Sequence, residues 1–152
     1  MSTHPNAMSH MLEDPRRVVH SMLNLREKFS TTVRKNRNPV KEVVITDMDD
    51  DSDFTALKRV MEFYLNIQYL EISGKIIIND NHVEAIGDRV QNLKILMIHM
   101  HTTISEHAIT SLCKKCRHLN DITLRSAPSL KPQGVWQDLL KKGIVVWITN
   151  KK

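Results

Sequence analysis

The chain has 152 residues, of which 41% are hydrophobic and 26% are charged, and this composition is typical of a single globular domain. Two cysteines exclude a disulfide-stapled scaffold, and no apolar run reaches the roughly 18 residues of a membrane-spanning helix. The net charge of +5 lies in the termini, because residues 1–38 carry +4 whereas residues 39–143 carry −1. We expect an intracellular protein, cytoplasmic or nuclear, with a mitochondrial location as the alternative.

The N-terminal part of the chain divides into a polar tail and an apolar-periodic segment. Residues 1–13 are expected to form a disordered tail. In residues 14–37 apolar side chains recur at helical spacing, and Pro15 suits the first turn of a helix. The apolar positions are Val18, Val19, Met22, Leu25, Phe29 and Val33. We predict a helix over 14–37 that precedes a domain formed by residues 38–152.

Residues 38–152 contain an internal repeat. Four segments begin with an apolar residue that is followed by apolar residues three and then two positions further on, and they start 27, 26 and 26 residues apart. They are Val40, Val43 and Ile45; Ile67, Leu70 and Ile72; Leu93, Leu96 and Ile98; and Leu119, Ile122 and Leu124. A fifth segment, formed by Gly143, Val146 and Ile148, fits the same register with one weak position. Each segment predicts a short strand.

A second set of apolar residues recurs at helical spacing between these strands. Its columns are Leu57, Val83, Ile109 and Val135; Val60, Ile86, Leu112 and the displaced Leu139; and Tyr64, Val90 and Cys116. Helix N-caps are expected at Asp53, at Asn79 or Asp80, and at Ser105. Each unit of about 26 residues is therefore predicted to be a strand, a loop and an amphipathic helix.

The pattern L-x-x-L-x-L at this period resembles the leucine-rich repeat. A full helix in each unit, and Cys116 just before the next repeat, resemble the cysteine-containing subfamily typical of F-box proteins, the substrate-recognition subunits of ubiquitin ligases. The Asn or Cys usual after the strand is replaced by Met48, Lys75, His101 and Ala127. The resemblance implies an α/β fold: a short leucine-rich-repeat solenoid of about four strand–helix units plus a closing strand, with the 14–37 helix as its N-terminal cap.

In such a solenoid the residues that alternate with the buried strand positions project from a concave parallel sheet. Large apolar residues on an exposed face usually mark binding, and Tyr and Trp are enriched among the residues that dominate binding energy. We predict a partner-binding face that contains Tyr69, Glu71, Ile95, Met97, His99, Thr123, Arg125 and Trp147. The alternative is that the N-terminal segment or the C-terminal tail folds over part of this face.

The other chemistry-bearing patterns support no catalytic or metal-binding assignment. The acidic run from Asp47 to Asp53 lacks the Gly and Glu of a calcium-binding loop, so we interpret it as a solvated acidic loop, with weak Ca²⁺ or Mg²⁺ binding as the alternative. Cys113 and Cys116 close a helix and have no second Cys pair, which favours buried packing thiols over a zinc or redox site. We predict no catalytic residue, metal or cofactor.

These features predict a non-enzymatic protein–protein interaction module. The resemblance implies a substrate-recognition adaptor of a ubiquitin ligase, with a Skp1-type adaptor as one partner. A first alternative is a small mitochondrial leucine-rich-repeat assembly or coupling factor, similar to ATP synthase factor B, that binds a respiratory complex subunit. A second alternative is nucleic-acid binding through the basic N-terminal helix, although the near-neutral body argues against it. The basic residues are Arg16, Arg17, Arg26, Lys28, Arg34, Lys35 and Arg37.

Overall fold

The computed structural model describes residues 17–21, 40–127, 130 and 135–149, in which strands and helices alternate. The strands are β1 (Arg17–Ser21), β2 (Glu42–Met48), β3 (Tyr69–Gly74), β4 (Ile95–His101), β5 (Asp121–Ser126) and β6 (Val145–Ile148). The helices are α1 (Asp51–Phe63), α2 (Asp80–Arg89), α3 (Glu106–Lys115) and α4 (Val135–Lys141). The predicted α/β alternation of four strand–helix units and a closing strand is confirmed.

The described strands form one parallel sheet whose strand order, β1-β2-β3-β4-β5-β6, follows the chain. From β2 to β6, one register holds over the first four paired residues of each strand. Successive partners in one row are Val43, Leu70, Leu96 and Ile122, which are buried, and the half-buried Val146. Parallel neighbours require a crossover that returns the chain to the starting edge, and between β2 and β6 helices α1 to α4 provide it. The apolar faces of the helices join the same core as the buried strand residues. The helices therefore cover one face of the sheet.

Columns of aliphatic residues, one residue from each unit, make up the core. Six members of the predicted helix columns are at most 1% exposed, and they are Leu57, Val83 and Ile109, and Val60, Ile86 and Leu112. Val90, Cys116 and Leu139 are also buried, Tyr64 is half-buried, and the burial of Val135 lies outside what the structure describes. A further column lies in the connections that lead from each strand to its helix, and it consists of Ile78, Ile104 and Leu130. This column was not predicted from the sequence. It anchors the loops to the core.

The predicted N-terminal helix over 14–37 is wrong where the structure contains strand β1. β1 pairs in parallel with β2, and Val18 lies opposite Val43. Without β1, the edge of β2 would present a row of unpaired backbone N–H and C=O groups. The β-branched pair Val18-Val19 suits a strand, so edge pairing overrides the helical spacing of the apolar residues. The remainder of the predicted helix and the predicted tail, residues 1–13, lie outside the described residues.

Side-chain caps begin three of the helices. Asn79 and Ser105 each accept a hydrogen bond from the backbone N–H three residues further on, both at 3.2 Å, which confirms Ser105 and resolves the choice between Asn79 and Asp80. At α1 the cap is Asp50, so the prediction of Asp53 is wrong. Asp53 instead occupies the third helical position, and the two aspartates bond reciprocally to each other's backbone N–H. This capping box selects one register from a run of acids that allows several.

Polar contacts join neighbouring repeats at an offset of 25 or 26 residues. At the start of α3, the Asp80 carboxylate accepts hydrogen bonds from the Ser105 N–H at 2.7 Å and from the Ser105 hydroxyl at 2.8 Å. At the end of α3, the Cys116 thiol donates to the carbonyl of Val90 at 3.3 Å. The start and the end of α3 are therefore each bonded to α2. The Ser105 N–H and the Val90 carbonyl are backbone groups at helix ends, which a helix by itself leaves without a hydrogen-bond partner.

Strand β2 ends in a bulge that leaves no room for a side chain on β3. Asp47 has a φ of 64°, and the pairing shifts so that Met48 lies opposite Gly74. A Cβ added to Gly74 would stand 2.2 Å from the carbonyl oxygen of Met48. The same carbonyl accepts a hydrogen bond from the N–H of Lys75 at 2.7 Å. Glycine is required here because two backbones approach too closely for any other residue.

Replacing Gly74 by alanine should lower the free energy of unfolding by about 3 kcal/mol, because the new Cβ would overlap backbone atoms rather than a flexible side chain. Gly143 is the matched control: its φ is 82°, and a Cβ there would meet no described heavy atom within 4 Å. Gly143→Ala should cost about 1 kcal/mol of left-handed backbone strain. Denaturant unfolding measures both variants. Equal losses would show that the close approach at Gly74 does not exist.

Candidate functional site

One face of the sheet, which we call the open face, projects away from the helices because side chains alternate along each strand. Its first row is Glu42, Tyr69, Ile95, Asp121 and Val145, and its second row is Val44, Glu71, Met97, Thr123 and Trp147, both aligned by the strand pairing. Its third row follows two residues further on and is Thr46, Ser73, His99, Arg125 and Thr149. The strand pairing thus aligns the first two rows residue by residue, and in the third row it aligns Ser73 with His99.

All eight predicted partner-binding residues lie on the open face. They are Tyr69 and Ile95 in the first row, Glu71, Met97, Thr123 and Trp147 in the second row, and His99 and Arg125 in the third row. The structure thus brings them together on one surface. Their contribution to partner binding stays a prediction.

Large apolar side chains are concentrated in the first two rows of the open face. Trp147 is 57% exposed on β6, at the end of the described sheet. Tyr69, Ile95 and Met97 are half-buried, whereas Val44 is only 8% exposed. An apolar surface of this kind is favourable to remove from water, so it is suited to contact with another molecule.

A polar network orders the middle of the open face, with Glu71 at its centre. The hydroxyl of Tyr69 donates a hydrogen bond to Glu71 Oε1 at 2.6 Å, and Nε2 of His99 lies 3.2 Å from Glu71 Oε2. The Tyr69 hydroxyl also lies 3.0 Å from the sulfur of Met97. Side chains held in one arrangement lose less conformational entropy on binding, so this part of the face is preorganised.

An open cavity of about 340 Å³ lies beside the third row, and the described residues that line it are His99, Thr123, Arg125 and Thr149. Thr149 was not among the predicted partner-binding residues. Its position two residues after Trp147 on the same face is the signal that would have found it. The Thr149 hydroxyl donates to the carbonyl of Arg125 at 3.3 Å, which ties β6 to β5 at the cavity.

The acidic run over residues 47–53 begins helix α1. Asp53 is only 3% exposed, and its carboxylate accepts a hydrogen bond from the N–H of Asp49 at 2.7 Å. The Ser52 hydroxyl donates to the carboxylate of Asp50 at 2.6 Å. Within the described ranges, no group of three or more His, Cys, Asp or Glu side chains is placed to hold a metal ion. Helix capping and turn formation therefore account for these described contacts.

The two cysteines contribute to the core on the helix side of the sheet. Cys116 is 1% exposed, and Cys113 packs against the core. Burial raises the pKa of the Cys113 thiol to about 11 and that of the Cys116 thiol to about 12. Neutral thiols are poor nucleophiles and poor metal ligands. This placement supports the interpretation that both are packing residues.

A second open cavity, of about 300 Å³, lies between the N-terminal ends of α1 and α2 and contains His82. The His82 side chain is 12% exposed, and its ring meets that of Phe54 edge-on with centroids 4.4 Å apart. Nδ1 of His82 accepts a hydrogen bond from the N–H of Asn79 at 2.9 Å, which completes the cap of α2. Only an unprotonated Nδ1 can accept this bond, so the cap requires neutral His82.

Burial lowers the pKa of His82, as a neutral cap requires. The Asp51 carboxylate, 4.0 Å from Nε2, opposes this shift, and the charge of Lys58 adds to it. Both of these groups belong to α1. The packing of α1 on α2 therefore sets the balance between the two forms of the imidazole.

Fold and surface together define a class of protein, a parallel α/β repeat array with one sheet face left open by its helices. Comparison with protein-family models, with curated proteins and with solved structures finds no match. None of the four helices in the described part of the chain has the length and apolar content needed to cross a membrane. The function therefore has to be inferred from the repeat geometry and the open face.

The burial of the two thiols predicts slow chemical modification. In the native protein Cys113 and Cys116 should react with dithiodipyridine at least roughly 100-fold more slowly than in guanidinium-unfolded protein, because burial disfavours the thiolate and limits access. The absorbance of the released pyridinethione follows the reaction. A native rate equal to that of the unfolded chain would contradict the buried placement.

The neutral cap at His82 predicts that stability falls at acid pH. In the unfolded chain His82 takes up a proton near its ordinary pKa of 6.5, whereas the lowered pKa in the folded chain delays protonation. The free energy of unfolding should therefore decrease as the pH falls through 6.5, and this contribution should level off below the folded-state pKa. His82→Gln should weaken the decrease, because Gln can accept the capping bond without titrating. Identical pH profiles of denaturant unfolding for both proteins would contradict this assignment.

Proposed function

We propose that this chain is a non-enzymatic protein–protein interaction module with leucine-rich-repeat architecture, and that it binds its partner through the open face. One observation carries the proposal: Trp147, 57% exposed, lies with half-buried Tyr69, Ile95 and Met97 on a face that no described helix covers. Apolar burial contributes about 25 cal/mol per Å², and Tyr and Trp often dominate interfaces. A partner that covers this face gains binding energy from residues that the fold itself leaves in water.

The repeat geometry supports the leucine-rich-repeat assignment. The apolar residues of the four L-x-x-L-x-L segments that begin at residues 40, 67, 93 and 119 are buried, for example Ile67, Leu70 and Ile72, and the strand of each is followed by a helix. Cys116 is buried shortly before Leu119, where the next unit begins. Within that architecture the open face corresponds to the concave surface, which repeat proteins use for binding.

The chemistry of the open face suits binding rather than catalysis. The Glu71 carboxylate is already engaged by Tyr69 and His99, so the described donors and acceptors of this network stabilise one another. The two cysteines lie on the helix side of the sheet, and burial raises the pKa of each. These groups order a surface and supply no activated nucleophile.

As the biological role we propose a substrate-recognition adaptor of a ubiquitin ligase, supported by the resemblance of the 26-residue units and Cys116 to that subfamily. A Skp1-type adaptor would then contact the full chain outside the open face. Copurification of the full chain with that adaptor from cells tests this role. Mitochondrial import together with capture of a respiratory complex subunit would replace it with the coupling-factor hypothesis.

Replacing Met97 and Trp147 together by Asp should weaken partner binding by roughly 100-fold or more, because both side chains lie in the middle row of the proposed interface. Affinity purification with quantitative mass spectrometry identifies the partner of the wild-type chain, and titration calorimetry measures its affinity for the variant. Circular dichroism and thermal unfolding establish that the variant is folded.

The matched control replaces Leu65 and Leu140 by Asp, since these leucines are 59% and 62% exposed and lie outside the open face. The control variant should bind the partner as the wild-type chain does. Unchanged affinity of the Met97/Trp147 variant would exclude the open face as the interface. If that variant also lost several kcal/mol of stability, covering of the face by the chain's own terminal segments would be the better explanation.

A further inference from the structure

The third row of the open face carries a positive charge that the fold does not use. Arg125, on β5, forms no ion pair with any described residue. On the helix side, by contrast, Arg89 Nε lies 2.9 Å from a Glu62 carboxylate oxygen and Lys115 Nζ lies 2.6 Å from one of Glu84. The guanidinium of Arg125 is therefore available to a ligand.

The acids of the open face do not cancel this charge. Asp121 lies four residues earlier on β5, about 13 Å away at the usual rise of a strand, whereas charges in physiological salt are screened over about 8 Å. The carboxylate of Glu71 stands on β3, two strands from Arg125, which is about 10 Å at the usual spacing of strands. Among the described residues, no acid of the open face therefore lies close enough to Arg125 to neutralise it.

The cavity beside Arg125 fits one acidic side chain with its immediate neighbours. Its volume is about 340 Å³, and its described lining, His99, Thr123, Arg125 and Thr149, includes no acid. The guanidinium presents a planar fork of N–H donors that matches a carboxylate, and the Thr123 hydroxyl can donate a further bond. Trp147 lies diagonally next to Arg125 on β6, so an apolar residue beside the acid would pack on its ring.

Building on the proposed function, we propose that the open face recognises a segment of a partner protein in which an Asp or Glu stands next to an apolar residue. The carboxylate pairs with Arg125 in the cavity, and the apolar residue packs on Trp147. This assigns the ligand a chemical class, an acidic–apolar peptide segment. It also makes Arg125 a residue that determines specificity rather than fold.

The remainder of the open face favours a single carboxylate over a polyanion. On strands β3 to β6, Arg125 is the one Lys or Arg of the open face, whereas Glu71 and Asp121 are acids; on β1, Arg17 pairs opposite Glu42. Nucleic acids are bound by several Lys or Arg side chains that follow the phosphate backbone. A polyanion would therefore find a single cation on β3 to β6 and would also meet the acids Glu71 and Asp121.

The same distribution gives the bound segment a direction. Asp121 stands in the first row, at the start of β5, whereas Arg125 stands in the third row of the same strand. A segment lying along the strands is favoured when its acid is over the third row and any basic residue is over the first. Reversal of the segment would place like charges opposite each other.

The test selects a phage-displayed random peptide library on the full-length wild-type chain and on Arg125→Gln. The wild-type chain should enrich Asp or Glu next to an aromatic or aliphatic residue, and Arg125→Gln should lose the acidic preference but keep the apolar one. A synthetic peptide of the enriched sequence should bind Arg125→Gln at least roughly tenfold more weakly, as expected for loss of one charge-assisted pair.

Arg117→Gln is the matched control, because Arg117 is exposed in the turn after α3 and lies outside the open face. This variant should keep the acidic preference and the wild-type affinity. A charge swap distinguishes loss of the ion pair from misfolding. Arg125→Glu should bind a peptide in which Lys replaces the acidic residue, which a misfolded variant would not do.

Four results would overturn the proposal, and they are distinguishable. Selected peptides without an acidic preference, or equal losses for Arg125→Gln and Arg117→Gln, would refute the role of Arg125 but leave the proposed function standing. If the Met97/Trp147 variant selected the same peptides as the wild-type chain, the proposed function itself would fail. Displacement of the peptide by a single-stranded oligonucleotide, with a steep dependence on salt, would identify a nucleic acid as the occupant.

Discussion

Parallel pairing of neighbouring strands in a single register is the constraint on which the rest of this structure depends. Parallel strands cannot be joined by a tight turn, so each connection needs a dozen or more residues, and a spacing of about 26 residues provides a loop and a helix. That spacing also places Leu70, Leu96 and Ile122 in one buried row of the sheet. Each row is buried only when adjacent units are in place, so the units stabilise one another rather than folding alone.

The register that builds the core also determines what the open face can display. Positions that alternate with the buried row are released from packing, so core stability does not require large apolar residues there. Met97 and Trp147 occupy such positions, as does the network centred on Glu71. Large apolar residues at open-face positions do not stabilise the core, so their presence there points to a function.

Local periodicity was sufficient to predict the repeat, and contacts between distant residues account for what it missed. The buried strand and helix columns, and the membership of the open face, follow from spacings of two, three and four residues. Val18 fits both a helix and a strand, and only the unpaired edge of β2 decides between them. Asp50 caps α1 because it forms reciprocal hydrogen bonds with Asp53, and glycine is required at position 74 because the backbone of Met48 approaches it closely. The spacing of hydrophobic residues predicts neither contact.

The position of β6 at the end of the described sheet has a consequence for how binding and folding are linked. An interior unit is held on both sides, whereas β6 pairs with β5 alone within that sheet. In a nearest-neighbour array such a terminal unit opens at lower free energy than the interior ones. A ligand that touches both Arg125 and Trp147 bridges β5 and β6. The bound ligand would therefore suppress local opening of β6, and amide hydrogen exchange would slow more in β6 than in the interior strands.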